Sequence, residues 1–245
     1  MSELTVFTSK KYDNLNQIEQ KYNTTFDAKY NIISDTILDI FNNDCANINN
    51  YNLSDVLVLS VLGYYYKHVK KDFNEMKKYY MLAIDLKNSS AMNNLGHYYE
   101  SIEKYDEMTK WYTMAIKNNN SNAMNNLGYH YENIENYDEM KKLYLMAIDL
   151  KNVNAMYNLA YHYEHTEINH DEMKKWYIMA INLCDVHSFN RMKKFIDVDK
   201  QYDILKNIKY KTKEFEHIYI NLRIELCNGY IKNYNENIRR SCVIS

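Results

Sequence analysis

The sequence predicts an all-α chain, a solenoid of antiparallel helix pairs closed by helical caps. Three observations predict it. One ten-residue phrase is written three times, as Ala91-Met92-Asn93-Asn94-Leu95-Gly96-His97-Tyr98-Tyr99-Glu100, then from Ala123 to Glu132, then from Ala155 to Glu164. A second phrase, Tyr105 to Ile116, returns at Tyr137 to Ile148 and at His170 to Ile181. A fixed period of this size is the mark of stacked supersecondary units, each burying its apolar face against the next. The third observation is that proline is absent and only 4 residues are glycine, which suits long helical stretches.

Composition narrows the function classes. Apolar content of 46% is enough to bury a core. Net charge is −2 with acids and bases interspersed, so no basic face is expected for nucleic acid. The apolar run Val56 to Tyr66 is too short and too polar to span a membrane. Met1 to Thr5 is neither basic nor apolar and reads as no secretory signal. Cys45, Cys184, Cys227 and Cys242 form no C-x-x-C pair, so they read as reduced thiols of a cytoplasmic protein rather than a disulfide framework or a zinc site.

Taken in order, residues 1–30 are a polar arm, and residues 31–51 are a capping helix and loop. In that helix Ile32, Ile33, Ile37, Leu38 and Phe41 recur at helical spacing. Repeats are expected over 52–196, with clear copies over 89–184. A helix over Leu53 to Lys67 opens the series, and Asn74 to Ile84 matches Asp106 to Ile116 at a spacing of 32. Within a clear repeat, Ala91, Leu95, Tyr98 and Tyr99 share one helical face, with Met92 beside them. Met108, Trp111, Tyr112, Ala115 and Ile116 make a wide apolar stripe on the second helix. Asp106, Asp138 and Asp171 stand at the start of the second helices, where a carboxylate is expected to cap exposed N–H groups and meet the dipole. Gly63, Gly96 and Gly128 recur mid-helix, where glycine costs about 1 kcal/mol against alanine. Close approach of the paired helix is the expected reason, and Ala160 at the equivalent place fits it. Residues 197–231 read as a degenerate repeat followed by a capping helix through Phe215, Ile218, Tyr219, Leu222 and Leu226. Residues 232–245 read as a flexible tail.

The spacing Asn-Leu-Gly-x-x-Tyr, followed by Lys110-Trp111-Tyr112-Thr113-Met114-Ala115-Ile116 and Lys175 to Ile181, resembles Sel1-like repeats, a branch of the tetratricopeptide class. The resemblance covers roughly 55–190. It departs from the Sel1-like pattern by lacking the Gly-rich loop between paired helices, and combining two short turns yields the period of 32. The resemblance implies a right-handed superhelix whose first helices line a concave groove, and a protein as partner.

Two signals carry the functional expectations. Asn94, Asn126 and Asn158 recur one residue before the leucine, at a position that resembles a groove-facing one. Such a row could grip an extended main chain, since each side-chain amide both donates and accepts. His97, Tyr129 and Tyr161 would flank it. The alternative is that these asparagines hydrogen-bond neighbouring helices. The other signal is Cys242-Val243-Ile244-Ser245, which matches C-a-a-X, with Arg239 and Arg240 before it. A single lipid on Cys242 would give peripheral, exchangeable membrane association. No cofactor, metal site or catalytic set is expected. His130 and His162 are one repeat apart, and His162, Glu164 and His165 lack a further ligand, so they read as surface or groove residues. Glu100, Glu132 and Glu164 read as scaffold. The chain is therefore expected to be a non-enzymatic interaction scaffold. Its alternatives are a prenylated adaptor and a helical accessory domain of an enzyme complex.

Overall fold

The computed structural model describes residues 17–18, 34–45, 48–208, 213, 215–222 and 224, and every regular element among them is helical. The chain divides into two compact units, residues 1–123 and 124–245. The first holds α1 (Ser34–Asn42), a 3₁₀ turn (Ile48–Asn50), α2 (Val56–Tyr65) with a π-turn after it (Tyr66–Lys70), α3 (Phe73–Asp85), α4 (Ser89–Ser101) and α5 (Tyr105–Lys117). Helix α6 (Ser121–Asn133) begins there and runs into the second unit. That unit continues with α7 (Tyr137–Asp149), α8 (Val153–His165), α9 (His170–Asn182), α10 (Val186–Met192) and α11 (Val198–Lys206). Residues 215–222 are helical, with Phe215 and Leu222 buried. Consecutive helices pack on one another: α2 on α3, α3 on α4 and α4 on α5 in the first unit, then α7 on α8, α8 on α9 and α9 on α10 in the second.

The period is set by helix and turn length. Helices α4 to α7 each hold 13 residues and are joined by three-residue turns, so two helices and two turns make 32. Each turn has one plan. Its first residue ends the helix, its second is left-handed, and its third takes the N-cap position of the next helix. Glu103, Asn119, Glu135 and Lys151 are the left-handed residues, at φ 58°, 56°, 58° and 60°. The Glu103 N–H donates to the Glu100 carbonyl at 3.0 Å and the Lys104 N–H to the Tyr99 carbonyl at 2.9 Å, and the other turns repeat this double closure. Glycine is the usual residue there, and here Lys, Glu and Asn occupy it. Between α8 and α9 the turn is one residue longer, 166–169, with Ile168 left-handed.

Asparagine supplies most of the N-caps. The Asn88, Asn120 and Asn152 side chains accept from the N–H groups of Ala91, Ala123 and Ala155 at 2.7, 2.9 and 3.0 Å. Asp72, Asn136 and Asn169 do the same for second helices. This corrects the expectation for Asp106, Asp138 and Asp171. They are the second residues of α5, α7 and α9, already inside the first turn, where their charge meets the helix dipole but a preceding residue holds the cap. At α5 that preceding residue is Lys104, which makes no side-chain cap. The first repeat helix is also shifted. It starts at Val56, capped by Asp55, and its π-turn carries past Lys67 to Lys70.

The core is written by the repeat. Ala91, Met92, Leu95, Met108, Tyr112 and Ala115 are buried in the first unit, as are Met124, Leu127, Met140, Tyr144, Met156, Leu159 and Tyr177 in the second. Among the described residues no helix is long and apolar enough to cross a membrane.

Candidate functional site

In α4–α5 and α6–α7 the helix pair is locked by a glycine, a tyrosine and a glutamate; α2–α3 shares the glycine and tyrosine, and α8–α9 the tyrosine and glutamate. A Cβ placed on Gly63 would stand 2.3 Å from the Tyr80 ring, on Gly96 2.5 Å from Tyr112, and on Gly128 2.8 Å from Tyr144. The glycines are there for packing. The Tyr112 hydroxyl donates to Glu100 Oε2 at 2.9 Å, Tyr144 to Glu132 Oε2 at 2.9 Å and Tyr177 to Glu164 Oε2 at 2.6 Å. Burial, then the Glu132 charge, holds the Tyr144 phenol protonated far above its usual range, and burial, then Glu164, does so for Tyr177. These glutamates receive buried hydroxyls.

With the core positions taken, the first helices leave a row on their outer face. Tyr129 on α6 is 50% exposed and Tyr161 on α8 is 38% exposed, and both lie in the second unit. The Tyr161 ring stacks on His165 at 4.0 Å and on Tyr157 at 6.2 Å, with the Arg191 guanidinium 4.7 Å above it. Beside them Asn126 and Asn158 are half-buried. The Asn158 amide donates to Asn125 Oδ1 at 3.0 Å, so that asparagine is partly engaged by the scaffold, as the alternative reading of the row holds. In the first unit Asn94 is half-buried and His97 is exposed, its Nδ1 3.4 Å from the Lys67 ammonium. Partial desolvation of the ring by its neighbours, then Lys67, lowers the His97 pKa.

The histidines need one correction. His162 is neither a surface nor a groove residue: it is fully buried, with Nδ1 3.3 Å from Glu132 Oε1 and Nε2 3.6 Å from Glu167 Oε1. It falls on the face of α8 that carries the core, with the Tyr137 ring 4.9 Å away. The sequence reading missed this because His162 stands in register with Tyr98 and His130, where its neighbours across the turn are invisible from spacing alone. Lys141 closes the arrangement by pairing with Glu167. A second feature escaped the sequence reading. Lys70, Lys71 and Lys77, separated in sequence by Asp72 to Met76, line one cavity of the first unit with Phe73 and Tyr98. Among the described residues no group of three or more His, Cys, Asp or Glu is placed to hold a metal ion. Cys227 and Cys242, with the C-a-a-X segment, lie outside the described residues.

Comparison with known proteins addresses the fold. A family model for the tetratricopeptide repeat matches residues 89–122 and 121–154. No curated protein matches the chain in sequence. A Sel1 repeat protein from Oxalobacter formigenes is similar in structure, with a TM-score of 0.56 and 21% identity over 70% of this chain and 82% of that one. A protective antigen of uropathogenic Escherichia coli with an SLR fold gives a TM-score of 0.52 at 14% identity, over 88% of this chain and 49% of that one. An immunity protein from Pseudomonas aeruginosa gives 0.50 at 17% identity, over 80% and 74% of the two chains. The matched repeats, the 32-residue period and the glycine–tyrosine packing give this chain an α-solenoid fold, with tetratricopeptide repeats over 89–154 and a likeness in structure to Sel1 repeat proteins.

Proposed function

We propose that the chain is a non-enzymatic protein-interaction scaffold, and that the second unit takes a partner segment along Asn126, Tyr129, Asn158 and Tyr161. Asn94 and His97 are the equivalent positions of the first unit. One observation carries the reading. Large aromatic side chains stand exposed at the same register of α6 and α8, among positions otherwise used by the core. Exposed aromatics supply contact area at low conformational cost, and tyrosine is enriched where interfaces concentrate their binding energy. Asn126 and Asn158 flank them and add main-chain hydrogen bonding with whatever capacity their own bonds to Asn125 leave. The tyrosines are therefore expected to carry more of the affinity than the asparagines.

The test compares wild type with Tyr129→Ala/Tyr161→Ala and Asn94→Ala/Asn126→Ala/Asn158→Ala in quantitative pull-down, each variant checked by thermal melting. The reading expects the tyrosine variant to lose bound partners at an unchanged melting temperature. Retained binding by the tyrosine variant would overturn it. Melting loss in the asparagine variant alone would assign that row to the scaffold.

A further inference from the structure

We infer that the cavity bounded by Lys70, Lys71, Lys77, Phe73 and Tyr98 in the first unit binds the carboxylate side chains of an acidic segment of a partner protein. This inference does not rest on the aromatic row, since it uses none of those residues. The cavity measures about 550 Å³. It forms where the π-turn after α2 places Lys70 and left-handed Lys71 next to the first two turns of α3, which contribute Phe73 and Lys77.

The charges at this place do not cancel. Lys70 pairs with Asp44 at 2.5 Å, and the Asp72 carboxylate is occupied by the N–H groups of Asn74 and Glu75 at 3.0 and 3.1 Å. Lys71 and Lys77 have no ion pair among the described residues; the Lys77 ammonium stands 5.8 Å from the Tyr98 ring centre. Elsewhere lysines of this chain meet an acid three residues back, as Lys78 meets Glu75, Lys142 meets Glu139 and Lys175 meets Glu172. The crowding of like charge is felt nearby. Burial, then Lys71, lowers the Lys67 ammonium pKa, and burial, then Lys67 and Lys71, pushes the His68 imidazole down to about 4.

The chain itself shows which anion suits this lysine. Lys141 occupies the position of Lys77 two periods later, and it too lies over a tyrosine ring, that of Tyr163 at 5.7 Å. Lys141 pairs with the carboxylate of Glu167, delivered by the one-residue-longer turn before α9. Glu103, in register with Glu167 two periods earlier, makes no ion pair with Lys77, and the cavity stands open instead. A carboxylate from outside would fill the same role. Phe73, 42% exposed on the wall, offers an apolar surface beside the cations. Acidic residues flanking an aromatic one therefore fit it best, by charge and by apolar contact together.

The experiment is isothermal titration of the full chain with an acetylated, amidated peptide of two glutamates, one phenylalanine and two glutamates. One-to-one binding is expected, weakening at least about tenfold as salt rises from low to physiological strength and beyond, because exposed pairs are screened. Lys71→Asn/Lys77→Gln is expected to weaken binding about tenfold, and the glutamine version of the peptide is expected not to bind. Asparagine tolerates the left-handed backbone at 71, and Lys77→Gln alone serves as a second variant should the pair fail to fold. No binding by wild type, equal affinity of the variants, or inorganic phosphate binding as tightly as the peptide would each overturn the inference, the last in favour of a small-anion site.

Discussion

Gly96→Ala separates two opposed effects of known size. Alanine is favoured over glycine by about 1 kcal/mol in a helix interior, so the substitution would stabilise an isolated α4. In the folded pair its Cβ would stand 2.5 Å from Tyr112 Cδ1 and 2.6 Å from Cε1. That is roughly 1 Å inside ordinary carbon–carbon contact. The ring has nowhere to go, being fully buried with its hydroxyl held by Glu100 at 2.9 Å. Overpacking of this kind costs about 1–3 kcal/mol, and a rigid, pinned ring places it at the upper end. The net effect is a loss of about 1–2 kcal/mol, or a fall of roughly 2–8 °C in melting temperature for a chain of this length. Thermal melts followed by circular dichroism at 222 nm measure it. Gly128→Ala, with the ring 2.8 Å away, is expected to lose less. Adding Tyr112→Leu removes the obstacle, so Gly96→Ala in that background should gain stability instead of losing it. A single Gly96→Ala variant that melts higher than wild type would refute the packing argument.

Two further perturbations follow from the same structure. Lys104→Asn is expected to add the side-chain cap that α5 lacks and raise stability by about 1 kcal/mol, while Asn152→Ala removes one and costs about the same, both read by urea unfolding. His68, stacked on Tyr64 at 4.2 Å, is held at about 4 against an ordinary 6.5 by burial first and then by Lys67 and Lys71. The unfolded chain therefore takes up this proton first as pH falls. Its contribution to stability is complete above pH 6.5 and is lost between 6.5 and 4, by about 1–2 kcal/mol once its partial exposure is discounted. Urea unfolding at pH 7 and pH 4.5 should show a flatter dependence in His68→Gln than in wild type, and equal slopes would remove His68 as the cause.

Much of this fold was legible because its determinants are local and repeated. Apolar spacing within Ala91 to Glu100 and Tyr105 to Ile116 defines both helix faces, and the recurrence of Gly63, Gly96 and Gly128 foretold a close approach. The identity of what approaches was not legible. Nothing in the spacing says that Tyr112 rather than Trp111 meets Gly96, since both lie on the apolar stripe. Turns were harder still. Their left-handed residues are Glu103, Asn119, Glu135 and Lys151, and only Asn119 belongs to the types that signal such a conformation. The caps were misplaced by two residues for a related reason: Asp106 and its equivalents look like caps, whereas Asn136 and Asn169 hold that place and Lys104 leaves it empty. Among the candidate site residues, exposure of Tyr129 and Tyr161 followed from helical register, but the bond from Asn158 to Asn125 depends on side-chain geometry that register does not contain.

Comparing repeats within the chain separates positions that hold the fold from positions that the fold leaves free to vary. Where a residue has an internal contact to satisfy, the copies agree: small at Gly96, Gly128 and Ala160, tyrosine at Tyr112, Tyr144 and Tyr177, glutamate at Glu100, Glu132 and Glu164. Gly96 and Gly128 meet Tyr112 and Tyr144, and all three tyrosines meet their glutamates, so a change in one leaves a buried clash or an unpaired polar atom. Where the copies differ, the internal contact differs too. His97, Tyr129 and Tyr161 share a register but not one chemistry, and among Lys77, Thr109, Lys141 and Lys174 one copy replaces lysine by threonine. Lys141 shows how little is needed to change such a position from open to closed, since one extra residue before α9 brings Glu167 onto it. A surface ion pair of that kind adds little stability, at most about 1 kcal/mol. Its consequence is selective rather than structural: it closes a lysine that the Lys77 cavity leaves available. A repeat protein built this way can alter its outer surface by changing a turn length or one outer side chain, while the glycine–tyrosine–glutamate locks of α4–α5 and α6–α7 keep those helix pairs in place.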